Sequence, residues 1–379
     1  MKIFNKLMAF IVSSAMAVSF VTPAFAQENE QNDNGVVILY TNDIHNACQK
    51  EEGVLGFSSL VAHKKALEEE GKTVILVDGG DAIQGGLIGA VSDGEYVVDI
   101  MEYVGYDVCI PGNHEFDFGM EQFLSIAENS ALDYISCNFC NAENGIVGDS
   151  VVDSWKMLEV KGKKIAFIGI TTPETFTSTR RVTFMNEAGD FIYNFCQNSD
   201  GFFLYDVVQK NIDEAKAAGA DHIIALGHLG VDLSSSPWTS RELIANTEGL
   251  DAFIDGHSHT NMPMEIVADK AGNQVILTQN DSYMDTVGKM TISDTGIVTE
   301  LLSGADLETI TSDAEVKSIE DAWIMEIEGQ LGKVIGYSEV VLDNHDEFGN
   351  RLPRKQETNT GDFVTDALYD LFDDIGMDI

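Results

Sequence analysis

The stretch Asp107-Val108-Cys109-Ile110-Pro111-Gly112-Asn113-His114-Glu115-Phe116-Asp117 joins a short apolar run to a polar loop. The run 108–110 predicts a buried strand. Pro111 and Gly112 end this strand, because proline cannot donate a ladder hydrogen bond and glycine favours turns. The polar residues should therefore lie at the carboxyl end of the strand, the edge at which open α/β sheets build their sites.

The polar residues of this loop suit metal and proton chemistry. The amide oxygen of Asn113 can bind a hard cation, and its amide nitrogen can donate to an anionic oxygen. His114 can bind metal or transfer protons near neutral pH. Asp117 is near enough to orient the His114 ring and raise its basicity. The alternative is a polar turn that caps the following helix.

The same order of strand, polar loop and helix recurs along the chain and predicts a parallel α/β sheet. The other predicted strands of this type are 36–41, 74–77, 164–170, 222–226 and 252–254, and the predicted helices are 57–70, 97–104, 120–129, 203–218 and 241–246. Residues 171–174 follow a strand and should form a polar wall of the site.

The remaining segments lack this repeat. Residues 151–160 predict a strand, 176–200 a long surface excursion, and 264–302 short antiparallel strands. A helix over 316–331, a strand over 334–342 and a helix over 362–372 complete the prediction.

The charge of the chain limits its partners. It contains 63 acidic and 22 basic residues, with a formal net charge of −41. Such a surface repels phosphate backbones, so a nucleic-acid polymer is excluded as a partner. Chemistry on a small phosphate compound would need cations, and bound metal is their natural source.

Residues 1–26 have the form of a secretory signal peptide. Lys2 and Lys6 precede an apolar run over 7–21, and Ala24-Phe25-Ala26 has the small-x-small form of a cleavage site. The run is shorter than the ~20 residues that cross a bilayer, so we expect no transmembrane span in the mature chain. The predicted location is secreted, periplasmic or cell-surface; an uncleaved anchor is the alternative.

The five cysteines do not form an even disulfide framework. Cys137 and Cys140 have the spacing of a redox motif but lack an evident helix after them. We expect free thiols or one local disulfide.

Five of the eight histidines lie in the strand-end loops. With nearby acids and an amide they form a set of nitrogen and oxygen ligands: Asp43, His45, Asp81, Asn113, His114, His228, His257 and His259. Such a set suits two divalent ions of the Zn, Mn, Co, Fe or Mg type. Asp43 and His45, like His257 and His259, are two residues apart, which places each pair on one face of an extended segment. The alternative for Asp43 and His45 is a helix cap beside a solvent-exposed histidine.

The order of these motifs resembles the calcineurin-like metallophosphoesterase superfamily, and within it the secreted 5′-nucleotidase family. The resemblance covers about residues 36–302 and rests on segments 39–45, 80–85, 112–119 and 255–260. It implies a four-layer αββα sandwich of α/β class. The family also contains UDP-sugar hydrolases and 2′,3′-cyclic-nucleotide phosphodiesterases.

The resemblance also implies residue roles. One metal would be held by Asp43, His45, Asp81 and His259, and the other by Asp81, Asn113, His228 and His257, with Asp81 bridging. Asn113 and His114 would contact the substrate phosphate, and His114, oriented by Asp117, would stabilise the transition state or protonate the leaving group. A metal-bound hydroxide would attack phosphorus in line.

The family carries a second domain that binds substrate, and residues 352–362 resemble its opening. The predicted division is a signal peptide over 1–26, a catalytic domain over 35–305, a linker helix over 306–333 and the start of a truncated C-terminal α/β domain over 334–379. Arg351 and Arg354 are candidate substrate contacts there. Exposed apolar surface or an unpaired sheet edge is expected near 334–379.

The sequence therefore predicts a secreted phosphohydrolase that removes phosphate from nucleotides. Within enzymes, the alternatives are a 2′,3′-cyclic-nucleotide phosphodiesterase and 3′-nucleotidase, a UDP-sugar hydrolase, or a hydrolase of another ester such as a sulfur ester. The alternative from another class is an inactive metal-binding surface protein, which predicts loss of His114, Asp117 or Asp81.

Overall fold

Two mixed β-sheets form the centre of the computed structural model, which describes residues 35–47, 54–308, 310–334, 336–346, 352–353 and 355–374. The strands in these ranges are β1 Val36–Thr41, β2 Thr73–Asp78, β3 Val108–Cys109, β4 Cys140–Glu143, β5 Ile146–Ser150, β6 Trp155–Val160, β7 Lys163–Thr171, β8 Tyr193–Asn194, β9 His222–His228, β10 Ala252–Asp255, β11 Met262–Ala268, β12 Gln274–Gln279, β13 Thr286–Ser293 and β14 Gly296–Ser303. The helices are α1 Gly56–Glu69, α2 Leu87–Ser92, α3 Glu95–Val104, α4 Met120–Asn129, α5 Thr175–Ser178, α6 Phe202–Ala217, α7 Ser240–Asn246, α8 Ala314–Leu331 and α9 Asn359–Asp374.

The first sheet has the strand order β14-β13-β1-β2-β3, and the second has the order β11-β12-β10-β9-β7-β6. Strands β1, β2 and β3 are parallel, as are β7, β9, β10 and β12. Their carboxyl ends carry the loops singled out in the sequence. A small third sheet has the order β5-β4-β8.

Alternation along β1 shows how the layers are built. Val36, Ile38 and Tyr40 lie in the core between the two sheets, whereas Val37 and Leu39 lie in the core beneath helices α1, α3 and α4. Successive side chains of a strand point to opposite faces, so a strand buried on both faces is apolar throughout. Helices α6 and α7 cover the outer face of the second sheet. The predicted α/β class and αββα layering are confirmed.

Three of the predicted elements need correction. No strand occurs in the described part of 334–342; its side chains, such as Tyr337 and Val341, are exposed and find no partner strand. The expected exposed apolar surface is therefore present in this segment. The strand predicted over 151–160 begins only at Trp155. The excursion 176–200 is not confined to the surface, because Phe184 and Phe195 are fully buried.

No helix in the described ranges is both long enough and apolar enough to cross a membrane. The predicted signal peptide lies outside the described residues.

Phe116 anchors the loop that follows β3. Its ring centroid lies 4.8 Å from that of Phe123, 5.2 Å from Phe139, 5.7 Å from Phe184 and 5.4 Å from Phe195. All five rings are fully buried. The excursion 176–200 thus supplies two of the rings that hold the loop after β3 in place.

Replacing Phe116 with alanine should lower the free energy of unfolding by about 3–5 kcal/mol, because the change removes a buried ring and leaves a cavity. Urea unfolding would measure this loss. Leu233→Ala is the control, since Leu233 is 89% exposed and its loss should change stability by less than about 0.5 kcal/mol. Equal effects of the two changes would contradict the anchoring role of Phe116.

Candidate metal centre

Three side chains from two loops form a first group of candidate ligands. Ligand atoms of Asp43, His45 and His259 all lie within 4.8 Å of one another. His45 Nδ1 lies 2.9 Å from the carbonyl oxygen of Gln84, so Nδ1 donates and the Nε2 lone pair is free. The Nε2 atoms of His45 and His259 are 3.2 Å apart, so both nitrogens are close enough to bind one ion.

A second group lies beside the first. Ligand atoms of Asp81, His228 and His257 also lie within 4.8 Å of one another. His228 Nδ1 donates to the carbonyl oxygen of Gly79 at 2.7 Å, and its Nε2 lies 3.0 Å from Asp81 Oδ2. His257 Nε2 lies 2.8 Å from Glu174 Oε2. A carboxylate or carbonyl partner of this kind fixes the tautomer and orientation of a metal-binding histidine.

Two buried oxygen atoms in the centre have no hydrogen-bond partner within the described residues. They are Asp43 Oδ1 and Asn113 Oδ1. Asp43 Oδ1 lies 3.3 Å from His259 Nε2 and 3.8 Å from His228 Nε2, between the two groups. Because a buried polar atom normally has a partner, these oxygens, with the oriented imidazoles, fit divalent cations.

The centre carries a strong negative field. Burial alone would lower the pKa of His228, but the charges of Asp81 and Asp43 outweigh burial and raise the pKa to about 10. The field that favours a protonated imidazole would equally favour a bound metal ion.

His114 and Asp117 form a pair at the edge of the centre. His114 Nδ1 donates to Asp117 Oδ2 at 2.6 Å. Burial opposes protonation of His114, yet the hydrogen bond to Asp117 and the charge of Asp81 raise its pKa to about 9. The backbone N–H of His114 donates to Asp81 Oδ1 at 2.7 Å, which fixes the pair relative to the second group.

Glu115 holds two of the loops together, a role that the sequence analysis missed. Its buried carboxylate accepts from the backbone N–H groups of Gly112 at 2.6 Å and of Asp81 and Ala82 at 2.8 Å each. Gly112 allows this close approach, since a Cβ there would lie 2.2 Å from Asp81 Oδ1. The sequence did contain a signal for this role, namely an acidic residue placed between His114 and the apolar Phe116.

The expected pairing holds for Asp43 and His45, which share the first group, but not for His257 and His259, and neither pair lies on an extended segment. Asp43, His45, His257 and His259 have φ values of 49°, 46°, 78° and 47°, in the left-handed region. His257 and His259 consequently belong to different groups. Hydrogen bonds between loops, such as that from His257 N to Asp43 Oδ2 at 2.9 Å, hold these conformations.

The three remaining histidines lie apart from the two groups, as expected of residues outside the predicted site, and the candidate arginines lie outside the described residues. His63 and His222 are in neither group, and neither is His345. The described cysteines are buried free thiols: Cys109, Cys137, Cys140 and Cys196. Arg351, Arg354 and Cys48 lie outside the described residues.

Known proteins from several organisms resemble this chain in sequence or in fold. The chain is 26% identical to the 5′-nucleotidase of Mus musculus over 367 residues, which cover 88% of this chain and 59% of the mouse protein. A 5′-nucleotidase precursor from Thermus thermophilus aligns with a TM-score of 0.69 and 21% identity, over 90% of this chain and 68% of that one. A sulfate thiohydrolase of the same genus aligns with a TM-score of 0.67 and 16% identity, over 91% and 69%.

The chain spans less than two thirds of the length of the mouse, rat and sand-fly (Lutzomyia longipalpis) relatives. The sequence model described as calcineurin-like phosphoesterase matches residues 36–261, more than half of the chain. Both candidate ligand groups fall within this match. The chain therefore belongs to the calcineurin-like phosphoesterase family.

Proposed function

We propose that this protein is a dinuclear-metal phosphohydrolase that removes phosphate from nucleotides in the manner of a 5′-nucleotidase. The observation that carries the proposal is the position of the His114–Asp117 pair beside two adjoining groups of metal-ligand type. The backbone of His114 is hydrogen-bonded to Asp81 of the second group.

The first ion would be held by Asp43, His45, Asp81 and His259, and the second by Asp81, Asn113, His228 and His257, with Asp81 shared. Support comes from the unpartnered oxygens of Asp43 and Asn113 and from the tautomers that Gln84 and Gly79 impose. When bound, the ions would neutralise phosphate charge and lower the pKa of a water molecule.

His114 would bind the phosphoryl group and donate a proton to the departing oxygen. Burial opposes protonation of His114, but its hydrogen bond to Asp117 raises the pKa of the imidazole and so favours the protonated form that a proton donor requires. Asp117 would hold the ring in the donating orientation. Thr179 supports the pair, since its hydroxyl donates to the carbonyl oxygen of Asn113 at 2.9 Å.

Nucleotides are the proposed substrates because relatives that align over 88% of this chain are described as 5′-nucleotidases. We further propose that the protein is exported by residues 1–26, and that residues 334–379 begin a second domain. The exposed apolar side chains of α9, among them Phe363 and Leu371, support a partner surface for this segment.

Phosphate release from a substrate panel tests the proposal. The panel is 5′-AMP, 3′-AMP, 2′,3′-cyclic AMP, UDP-glucose and bis-p-nitrophenyl phosphate, each with and without a chelator. We expect release from 5′-AMP that the chelator abolishes and added Mn²⁺ restores, because the ions supply the positive charge at phosphorus.

Release from only the cyclic nucleotide would indicate a 2′,3′-cyclic-nucleotide phosphodiesterase instead of a 5′-nucleotidase. Release from only UDP-glucose would indicate a UDP-sugar hydrolase. Binding of metal without hydrolysis of any substrate would contradict the enzymatic proposal.

The role of His114 has its own test. His114→Ala should lower kcat about 10²–10⁴-fold, the usual contribution of general acid catalysis, and Asp117→Asn should lower it about 10–100-fold. His222→Ala is the matched control, because His222 also faces an aspartate, Asp251, at 3.8 Å but lies outside both groups.

Steady-state kinetics and metal analysis would measure the three variants. The expected metal content is that of the unaltered protein in each. Full activity of His114→Ala would disprove the assignment.

A further inference from the structure

Two buried cysteines outside the metal centre lie on neighbouring segments of the chain. Cys140 begins β4 and pairs with Asn194 of β8, two residues before Cys196. Both thiols lie in the core beneath helix α6. The residue before each cysteine, Phe139 or Phe195, lies in the other core, beneath α1, α3 and α4. The two segments therefore run side by side, with their thiols in one core and their aromatic rings in the other.

The sulfur atoms of the two cysteines converge on one turn of the backbone. Cys140 Sγ lies 3.8 Å from the carbonyl oxygen of Cys137, and Cys196 Sγ lies 3.9 Å from the carbonyl oxygen of Asn138, the next residue. The thiols of Cys140 and Cys196 also hydrogen-bond to each other. A disulfide bond joins two sulfur atoms at about 2.05 Å, so thiols already in contact need only a small movement to form one.

The backbone around Cys196 is held in an unusual conformation. Its φ is 58°, in the left-handed region, where glycine would lie at lower cost. The N–H of Cys196 donates to Asn194 Oδ1 at 2.6 Å, and Asn138 Nδ2 donates to the carbonyl oxygen of Phe195 at 3.0 Å. Backbone conformation thus does not favour cysteine at this position, and its side chain needs another explanation.

We propose that Cys140 and Cys196 form a disulfide bond in the exported protein, and that the two thiols of the structure are its reduced state. The proposal rests on the proposed export, because disulfides form and persist in oxidising surroundings outside the cytoplasm. It does not depend on the substrate or on the metal ions.

Cys137 is the third thiol of this core and suggests two other arrangements. With Cys140 it has the spacing of a redox motif, but the hydrogen bond of the Cys140 thiol is to Cys196. A soft metal ion held by all three thiols is the second arrangement. In the described part of the chain these thiols do not form a group of metal-ligand spacing, in contrast to the side chains of the metal centre. A bond between two thiols therefore fits the geometry better.

Thiol–disulfide exchange with a small disulfide, such as glutathione disulfide, would form the bond. The hydrogen bond from Cys196 lowers the pKa of Cys140, and the same contact, together with burial, raises the pKa of Cys196. The Cys140 thiolate would attack one sulfur of the oxidant and release the first thiol. Cys196 would then lose its proton, attack Cys140 Sγ and release the second. One S–S bond breaks, one forms, and two electrons pass from the protein to the oxidant.

The bond would strengthen the support of the catalytic loop. The rings of Phe139 and Phe195 stack with centroids 5.2 Å apart, and each contacts Phe116, which anchors the loop that carries His114. A disulfide between the residues that follow these two rings would fix both segments together. It would also restrict the unfolded chain, because the two cysteines are far apart in sequence.

Oxidation of the full chain tests the proposal. The reduced protein would be incubated with glutathione disulfide, both in native buffer and during refolding from urea. We expect the thiols titrated in denaturant to fall from the five cysteines of the chain to three. Mass spectrometry of a non-reduced digest should show Cys140 linked to Cys196. The oxidised protein should melt about 5–15 °C above the reduced protein, the effect usual for one disulfide.

Three alanine variants separate the disulfide from the packing of the thiols. Cys140→Ala and Cys196→Ala should each melt at the same temperature with and without glutathione disulfide. Cys137→Ala is the matched control, since Cys137 is a buried thiol of the same core. It should keep both the linked peptide and the rise in melting temperature.

Three results would overturn the proposal: five free thiols after both treatments, a bond between Cys137 and Cys140, or glutathione adducts without a bond between Cys140 and Cys196. Peptide mapping of the unaltered protein decides between them even if a variant does not fold. The measurements need no turnover, so failure of the proposed phosphohydrolase activity would leave this result unaffected.

Discussion

The rest of the structure depends on the burial of Asp43 and Asp81 at the point where the two sheets meet. Charged carboxylates are costly to bury unless cations or hydrogen bonds compensate them. Here Asp43 Oδ1 has no hydrogen-bond partner within the described residues, and the nearest basic groups are imidazoles. The negative field raises the pKa of His228 to about 10. Divalent cations would satisfy the same field, and they would also give a chain of net charge −41 a local attraction for anionic substrates.

The loops around this centre are held in place by residues that are not themselves proposed metal ligands. Glu115 ties the loops after β2 and β3 together through backbone N–H groups, and Phe116 fixes the second loop in a cluster of buried rings. Glu174 performs a comparable task for His257. Placement of reacting groups demands such support, because small displacements weaken catalysis strongly. The positions of the ligand loops thus depend on the core beneath them.

The layers of the fold were predictable from sequence because strands buried on both faces are apolar throughout, as in β1. The histidines at the end of β9 and after β10 were predictable because parallel strands present their carboxyl ends at one edge. The role of Glu115 was not predictable, since it arises from contacts with a loop distant in sequence. The left-handed φ of Asp43 and His259 is likewise set by hydrogen bonds between loops. The strand expected over 334–342 failed because an apolar pattern alone supplies no partner strand.

The central claim is that the two ligand groups hold two metal ions. Anomalous diffraction from crystals grown with Mn²⁺ tests this claim most directly. The account predicts two peaks, one among Asp43, His45 and His259 and the other among Asp81, His228 and His257, and loss of at least one of them in Asp81→Asn. A single peak, or no peak at these side chains in a protein that still releases phosphate from 5′-AMP, would contradict it.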